Sequence, residues 1–275
     1  RQKAALPQEK VQLALAGDLQ AQCTASSYAM RELGVPFAGL FGACSTMAEG
    51  LALGAALCEG GAARNLLAMA SSHFCAAERQ FRTPLSYGAV RTPTAQWTAT
   101  AAGCCLLQPQ GEGVGIAAAT FGRVQDYQVK DINNMGAAMA PAAASTLLHY
   151  FKDTGTEPQE FDCIYTGDLG QVGSQLLREL LAAEGLLIKN HVDCGCILFD
   201  ANEQSVKSGG SGPGCCASVL CGHILPRLEK GTQKRVLFIA TGALMSQTTF
   251  LQKESIPAIA HLVELRSPQQ KEENE

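Results

Sequence analysis

The sequence predicts an α/β protein built from two copies of one unit, and three observations carry this prediction. The segment 15–19 (LAGDL) recurs as 165–169 (YTGDL), and the tripeptide PQE precedes both copies. The segment 64–70 (RNLLAMA) resembles 235–241 (RVLFIAT). Strand and helix signals also follow the same order in both copies, as expected for one duplicated α/β domain.

The elements are predicted from short apolar runs and from small-residue or amphipathic stretches. Strands are predicted at 11–16, 36–41, 65–71, 100–107, 114–121, 161–166, 194–199, 235–241 and 257–264. Helices are predicted at 22–33, 46–60, 138–152, 173–184 and 215–229. This alternation predicts largely parallel sheets that are covered on both faces.

The two halves are unequal at their starts. The second half opens with strand 114–121 and helix 138–152 before its copy of the repeat, whereas the first half enters almost directly at strand 11–16. We therefore expect the first half, residues 1–110, to lack its first strand and most of its first helix. The second half spans 111–267, and the polar residues 268–275 are predicted to form a disordered tail.

Charge and hydropathy exclude several classes of protein. The formal net charge is −4, so the chain offers no basic surface for nucleic acid. No signal peptide is recognisable. The longest uncharged runs, 92–111 and 208–226, are interrupted by proline, glycine and polar residues. Neither is a uniformly apolar span of about 20 residues, so no transmembrane helix is expected and membrane contact would be peripheral.

The chain contains 12 cysteines, most of them within apolar runs. A large chain without a signal peptide favours reduced, buried thiols over a disulfide framework. A metal site is the alternative, because Cys194 and Cys196 lie close to His191 and Asp193. No second CxxC or HxxxH pair stands at a usual zinc spacing, so the metal site is the less favoured interpretation.

Cys44 is the strongest candidate for a functional residue. The segment 42–46 (GACST) follows an apolar run and opens a helical segment rich in small residues. This places Cys44 at a strand-to-helix turn, where backbone N–H groups and the helix dipole favour an anion. The same environment lowers the pKa of a thiol or binds a ligand carboxylate. Whether Cys44 is a nucleophile or part of an anion pocket depends on a neighbouring base.

The chain resembles the thiolase-like superfamily, which includes thiolases and β-ketoacyl-acyl-carrier-protein synthases. Within it, the closer resemblance is to the stage V sporulation protein AD family of spore-forming Firmicutes. The matching segments run in order along the chain: 16–19 (AGDL), 41–46 (FGACST), 71–73 (SSH), 77–82 (AERQFR), 139–144 (MAPAAA), 166–169 (TGDL), 193–195 (DCG), 208–212 (SGGSG), 240–244 (ATGAL) and 253–257 (KESIP). With helices 46–60 and 215–229 in the middle, the resemblance implies a five-layer α-β-α-β-α sandwich.

The resemblance also implies a function. Members of this family are similar to thiolases but bind pyridine-2,6-dicarboxylic acid (dipicolinic acid), free or with calcium, and no cofactor is expected. They act with the other membrane proteins of the stage V sporulation A operon in uptake into the developing spore and release in germination. The expected location is the cytoplasmic side, peripheral to the spore inner membrane. A homodimer is compatible with the fold.

The residues around the expected cleft agree with a non-catalytic role. A ketosynthase of the Cys-His-Asn type has its His after the strand that 164–167 matches, and its Asn near the run 208–214. Here Asp168 stands where that His would be expected, and the run 208–214 contains no Asn. A carboxylate at Asp168 would raise the pKa of a nearby thiol, which opposes nucleophilic chemistry. Cys44 is therefore expected to be a vestigial nucleophile.

The predicted ligand site suits a small dianion. It comprises Asp18, Cys44, Ser45, His73, Arg79, Arg82, Asp168 and Leu244. Backbone N–H groups at Cys44 would accept one carboxylate, and the two arginines could pair with the second. Phe81 and Leu244 are the candidates for an apolar slot around the ring.

Structural interpretations remain open for each of these side chains. The aspartates could cap turns or helices, His73 could bond to backbone, and the two arginines could be solvated or lie at an interface. Two other functions also remain open. One is a Cys-dependent acyltransferase or ketosynthase in which His73 or His261 serves as the base. The other is a structural subunit that docks membrane partners.

Overall fold

The computed structural model describes residues 6–81 and 91–268, without the side chains of residues 78–81. The first half contributes these elements in chain order: β1 (Leu13–Gly17), α1 (Thr24–Leu33), β2 (Phe37–Gly39), α2 (Thr46–Glu59), β3 (Leu66–Ser72), α3 (Phe74–Phe81), β4 (Trp97–Thr98) and β5 (Ala101–Leu107). Four of its strands form a sheet in the order β2-β1-β3-β5. Strands β1, β2 and β3 are parallel, and β5 is antiparallel to β3.

The second half repeats this plan. Its elements are β6 (Gly115–Thr120), α4 (Met135–Thr154), β7 (Cys163–Thr166), α5 (Gly170–Ala183), β8 (His191–Asp193), α6 (Cys194–Ile197), β9 (Gly210–Ser211), α7 (Pro213–Val219), a π-helical turn (Leu220–Ile224), α8 (Leu225–Glu229), β10 (Arg235–Ala243), α9 (Gln247–Leu251) and β11 (Ala258–Arg266). The sheet order is β6-β11-β10-β7-β8. Strands β8, β7, β10 and β11 therefore repeat the arrangement of β2, β1, β3 and β5. Among the described residues, no strand pairs with β5 as β6 pairs with β11.

Two helices made of small residues form the layer between the sheets. Helix α2 contributes Met47 and Leu51, and α7 contributes Cys215 and Cys216, to one buried cluster that includes strand residues of both halves. Helix α2 contacts β1 and β3 as well as β10 and β11, and α7 contacts β3 and β5. Small side chains allow this close approach of backbones on all faces of the helices. The thiolase-like layered fold expected from the sequence is confirmed.

One predicted strand is wrong. The apolar run 194–199 begins with the short helix α6, and the strand of this region is β8, which precedes it. The chain turns at Asp193, whose buried carboxylate accepts the N–H groups of Leu169 and Gly170. Gly195 then lies so close to Gly210 that a Cβ would be 2.4 Å from the Gly210 carbonyl oxygen. Helix α6 of this run packs against α5, α7 and β9 and does not join the sheet.

The predicted helix 215–229 is a composite of α7, the π-helical turn and α8. The predicted tail lies outside the described residues except for Pro268. Within the described part of the chain, we find no helix that combines the length and the apolar character needed to cross a membrane.

Candidate functional site

Cys44 lies in the turn that leads into α2, as the sequence predicts. A 3₁₀ turn spans Ala43–Ser45 and continues directly into the helix. Ala43 has a left-handed φ of 52°, an unusual conformation for a residue with a side chain. The Ser45 hydroxyl donates to the Gly42 carbonyl over 2.7 Å, and the Thr46 hydroxyl donates to the Ala43 carbonyl over 2.7 Å. These bonds hold the Cys44 side chain, which is 8% exposed, toward the interior.

The second half packs directly on this turn. Gly242 of β10 is so close that a Cβ would lie 2.3 Å from the Gly42 carbonyl oxygen and 3.1 Å from the Ser45 amide nitrogen. Only a residue without a side chain permits this approach. The Cys44 turn therefore lies at the junction of the two halves.

Asp168 lies beneath Cys44 and is completely buried. One carboxylate oxygen accepts the Thr241 hydroxyl over 2.9 Å. The other accepts the Ser211 hydroxyl and the Gly212 N–H, each over 3.0 Å. Three donors thus converge on a single buried acid, and the Cys44 thiol lies near enough for its pKa to be affected by that acid.

This arrangement keeps the Cys44 thiol protonated. Burial, followed by the charge of Asp168, raises the pKa of Cys44 well above its ordinary value. This is the direction expected from the sequence. Burial also raises the pKa of Asp168, although the neighbouring Cys44 thiol and the hydrogen bonds from Gly212, Thr241 and Ser211 oppose that shift. A protonated thiol is a weak nucleophile, because the thiolate is the reactive form.

A cavity opens beside Cys44 between the halves. Its volume is about 70 Å³, which is below the usual range of small-molecule sites, and it opens to solvent at its mouth. Its apolar wall comprises Leu19, Ala43, Ala95, Ile132, Met135, Met139, Ala243 and Met245. Its polar groups come from Cys44, Gln96, Thr98, Asn133 and Ser211. Among the described residues, none that lines this cavity carries a formal charge or an imidazole.

Gln96 is a cavity residue that the sequence analysis missed. Its Nε2 donates to the Asp168 carbonyl over 2.5 Å and to the Gly210 carbonyl over 2.9 Å. Its Oε1 is buried and has no hydrogen-bond partner within the described residues. The short pairing of β4 with β9, Trp97 opposite Gly210, brings Gln96 to this place. Two-residue strands have no periodicity, so no local sequence signal could have revealed it.

Asp18 and His73 line a separate, neighbouring cleft. Leu19 borders both spaces, whereas Asp18, His73 and Thr100 face only the second one. His73 is exposed. The buried Asp18 carboxylate accepts the N–H groups of Gln20 and Ser26, each over 2.8 Å. The structure therefore brings Cys44 and Asp168 together but places Asp18 and His73 in the adjoining cleft.

The other predicted site residues occupy varied positions. Ser45 is fully buried, and its hydroxyl is bonded within the Cys44 turn. Leu244 is partly buried and lies between Ala243 and Met245, which line the cavity although Leu244 does not. Arg82 lies outside the described residues, as do the side chains of Arg79 and Phe81. Their proposed roles remain predictions.

The side chains considered for a metal site form a different network. The Thr166 hydroxyl donates to Asp193 over 2.6 Å and lies 2.8 Å from His191 Nε2. Burial raises the pKa of Asp193 to about 7, against the hydrogen bonds that it accepts. Burial lowers the pKa of His191 to about 4. The described residues contain no group of three or more His, Cys, Asp or Glu side chains that could hold a metal ion.

Comparison with solved structures confirms the fold. AbyA1, a tetronic acid condensing enzyme, superposes with a TM-score of 0.61 at 16% identity and covers 96% of this chain and 81% of its own. The 3-oxoacyl-acyl-carrier-protein synthase III of Aquifex aeolicus VF5 gives 0.58 at 12% identity, covering 96% and 80%. OleA of Xanthomonas campestris gives 0.60 at 13% identity, covering 96% and 78%. At these identities the likeness concerns the fold alone.

Comparison of sequences identifies the family. The chain is 43% identical over 261 residues to stage V sporulation protein AD of Bacillus subtilis (strain 168), covering 94% of this chain and 77% of that protein. The family model for stage V sporulation protein AD matches residues 1–266. The chain therefore belongs to the stage V sporulation protein AD family.

Proposed function

We propose that this chain is a non-catalytic thiolase-fold protein that binds dipicolinic acid, free or as its calcium complex. Its role would be uptake of this compound into the developing spore and its release in germination. The observation that carries the proposal is the position of the buried Asp168 carboxylate next to Cys44. At the place where covalent catalysis needs a group that activates the thiol, a buried carboxylate opposes thiolate formation.

The two histidines considered as substitute bases support the same conclusion. His73 belongs to the adjoining cleft. His261 Nδ1 accepts the N–H of Gly122 over 3.2 Å, and its ring packs edge-on against Phe121. Burial lowers the pKa of His261 to about 4. Among the described residues, neither histidine lines the cavity at Cys44.

The cavity matches a flat ring with polar substituents. Ile132, Met135 and Met139 offer an apolar wall, and methionine adapts its shape to an aromatic face. Asn133 and the backbone at Cys44 provide hydrogen-bond donors at the same cavity. A dicarboxylate at this place would also need positive charge, because Asp168 lies behind Cys44. In our proposal that charge comes from Arg79 and Arg82, or from calcium that enters with the ligand.

The cellular setting is also proposed. The chain would act at the cytoplasmic side of the spore inner membrane, as a peripheral protein bound to the membrane proteins of the same operon. The family membership supports this setting. A homodimer is compatible with the fold. A purely structural role in docking membrane partners is also compatible, and it alone predicts that the cavity binds no ligand.

Calorimetric titration with dipicolinate, with and without calcium, tests the proposal. Picolinate, which has one carboxylate, is the matched ligand control. We expect saturable binding of dipicolinate and weaker binding of picolinate. Each charge-assisted contact contributes about 1.5–3 kcal/mol, so losing one should weaken binding about ten- to a hundredfold. Equal binding of the two ligands, or no binding, would contradict the proposal.

The same calorimetric titration, repeated with variants of the protein, locates the binding site. Arg82→Ala and Asn133→Ala should weaken dipicolinate binding, whereas Cys44→Ala should change it less, since the backbone N–H groups of the turn remain. His73→Ala distinguishes the two clefts. A large loss of dipicolinate binding in this variant would place the ligand in the adjoining cleft and not in the cavity at Cys44. Arg31→Ala is the control for loss of a charge, since Arg31 is exposed on α1 and pairs with Glu32.

A further inference from the structure

Two cysteines from different halves meet where strand β5 crosses the π-helical turn. The Sγ atoms of Cys105 and Cys221 are 3.8 Å apart, although the residues are 116 positions apart in the chain. The Cys221 Sγ is also 3.8 Å from the carbonyl oxygen of Cys104. The thiol of the second half thus lies directly on the strand of the first half.

The local backbone explains this meeting. Side chains alternate along β5, so Cys105 and its neighbour Cys104 point to opposite faces of the strand. Cys221 belongs to the π-helical turn Leu220–Ile224 that separates α7 from α8. A π turn inserts an extra residue into a helix and occurs often at functional sites. Here it places a thiol opposite Cys105.

Accessibility distinguishes this pair from the other cysteines of the central layer. Cys194, Cys215 and Cys216 are completely buried. Cys105 and Cys221 are partly exposed, so a small oxidant in solvent can reach them. A disulfide needs its sulfur atoms about 2.0 Å apart, so each would move by roughly 1 Å, which side-chain rotation can supply.

We propose that Cys105 and Cys221 are a redox modification site that forms a disulfide between the two halves in the presence of a peroxide. One sulfur attacks a peroxide oxygen, giving a sulfenic acid and releasing water when the peroxide is hydrogen peroxide. The second sulfur attacks the sulfenic sulfur and releases a second water. Two thiols lose two electrons and two protons, and one peroxide is reduced to two waters. A thiol reductant reverses the step by exchange.

The hydrogen bond with Cys221, together with burial, raises the pKa of the Cys105 thiol well above its usual value. Since the thiolate reacts faster than the thiol, oxidation of the pair should be faster at alkaline pH. The resulting bond would close a loop of more than a hundred residues and restrain the unfolded chain.

Peptide mapping by mass spectrometry after treatment with hydrogen peroxide tests the inference. We expect a cross-linked peptide pair containing Cys105 and Cys221, lighter by two hydrogen atoms and lost on reduction. The melting temperature of the oxidised protein should rise and return on reduction. Cys104→Ser is the matched control, since it alters the adjacent exposed thiol and should leave the cross-link intact.

Cys105→Ser and Cys221→Ser should each abolish the cross-linked peptide while a circular dichroism spectrum shows that the variant is folded. Two variants are used so that the test remains valid if one of them does not fold. The inference would be overturned if peroxide left the two thiols reduced at concentrations that oxidise Cys75 or Cys104. A cross-link that joined other cysteines, or two chains, would equally overturn it.

Discussion

Asp168 lies next to Cys44 in the junction between the two halves, where burial and then the charge of Asp168 raise the pKa of the Cys44 thiol. Asp168 is completely buried and also accepts hydrogen bonds from Ser211, Gly212 and Thr241. The carboxylate is thus built into the core of the site and is not a mobile base. Its position next to Cys44 disfavours the thiolate form of that cysteine.

Removal of this charge should make Cys44 more reactive. Asp168→Asn eliminates the electrostatic contribution that raises the pKa of the thiol, whereas the contribution from burial remains. We expect several-fold faster alkylation of Cys44 by iodoacetamide at pH 8, measured by peptide mass spectrometry. Asp193→Asn is the matched control, because Asp193 is equally buried in the same half and bonds to other groups. Equal rates in the wild type and Asp168→Asn would contradict this account.

The close contact between Gly242 and the Cys44 turn should tolerate no side chain. Gly242→Ala would place a Cβ 2.3 Å from the Gly42 carbonyl oxygen, so the turn or the strand must move. Differential scanning calorimetry should show a lower melting temperature, and ligand binding should weaken. The control is Gly113→Ala, because a Cβ at Gly113 meets no atom within 4 Å. A wild-type melting temperature in Gly242→Ala would show that the junction is looser than described.

Stability should fall as the pH drops from about 6.5 to about 4, in part because of His261. Burial lowers the pKa of His261 to about 4 in the folded state, while the unfolded chain keeps a value near 6.5. Between these values the unfolded state binds more protons, so acid favours unfolding. Burial lowers the pKa of His191 as well, so His261→Asn should remove only part of the pH dependence of the free energy of unfolding.

Urea denaturation of wild type and His261→Asn at pH 7 and pH 5 measures this difference. Asn keeps an acceptor for the Gly122 N–H but does not titrate. Its free energy of unfolding should therefore change less between the two pH values than that of the wild type. Identical pH dependence in both proteins would exclude His261 as a contributor.

Tyr150 and Glu264 connect α4 to β11 through a buried hydrogen bond of 2.5 Å. Burial alone would raise the pKa of Glu264, but hydrogen bonds from Arg235, Tyr150 and Arg266 lower it to about 2. Tyr150→Phe removes one donor to this carboxylate and should cost about 1–3 kcal/mol of unfolding free energy. Chemical denaturation measures the loss. Tyr127→Phe is the control, because Tyr127 is 60% exposed, and a similar loss there would contradict the assignment.

The sequence repeats predicted the duplicated fold because they mark equivalent strand ends in the two sheets. Asp18 and Asp168 are the equivalent aspartates of the two copies, and both prove to be buried acceptors. Their partners differ because the chain continues differently. After Asp168 the helix α5 begins at Gly170, whereas Asp18 caps a longer turn through Ser26. The repeat alone could not show which of the two faces Cys44.

The residues that line the cavity were harder to predict from the sequence. Gln96 and Ser211 reach the site through strands of two residues, and Asn133 precedes α4 in an irregular segment. Such placements depend on contacts between distant parts of the chain, which leave no periodic signal. The incorrectly predicted strand at 194–199 has the same origin, because helix α6 packs against α5, α7 and β9 and does not join the sheet.

A non-catalytic role requires that Cys44 cannot carry an acyl group through a reaction cycle. The decisive measurement is coenzyme A release from acyl-coenzyme A, followed together with the intact mass of the protein, for the wild type and Cys44→Ala. We predict no acyl adduct on Cys44 and no release above that of the Cys44→Ala variant. An adduct at Cys44 that forms and turns over, with release abolished in Cys44→Ala, would contradict the account.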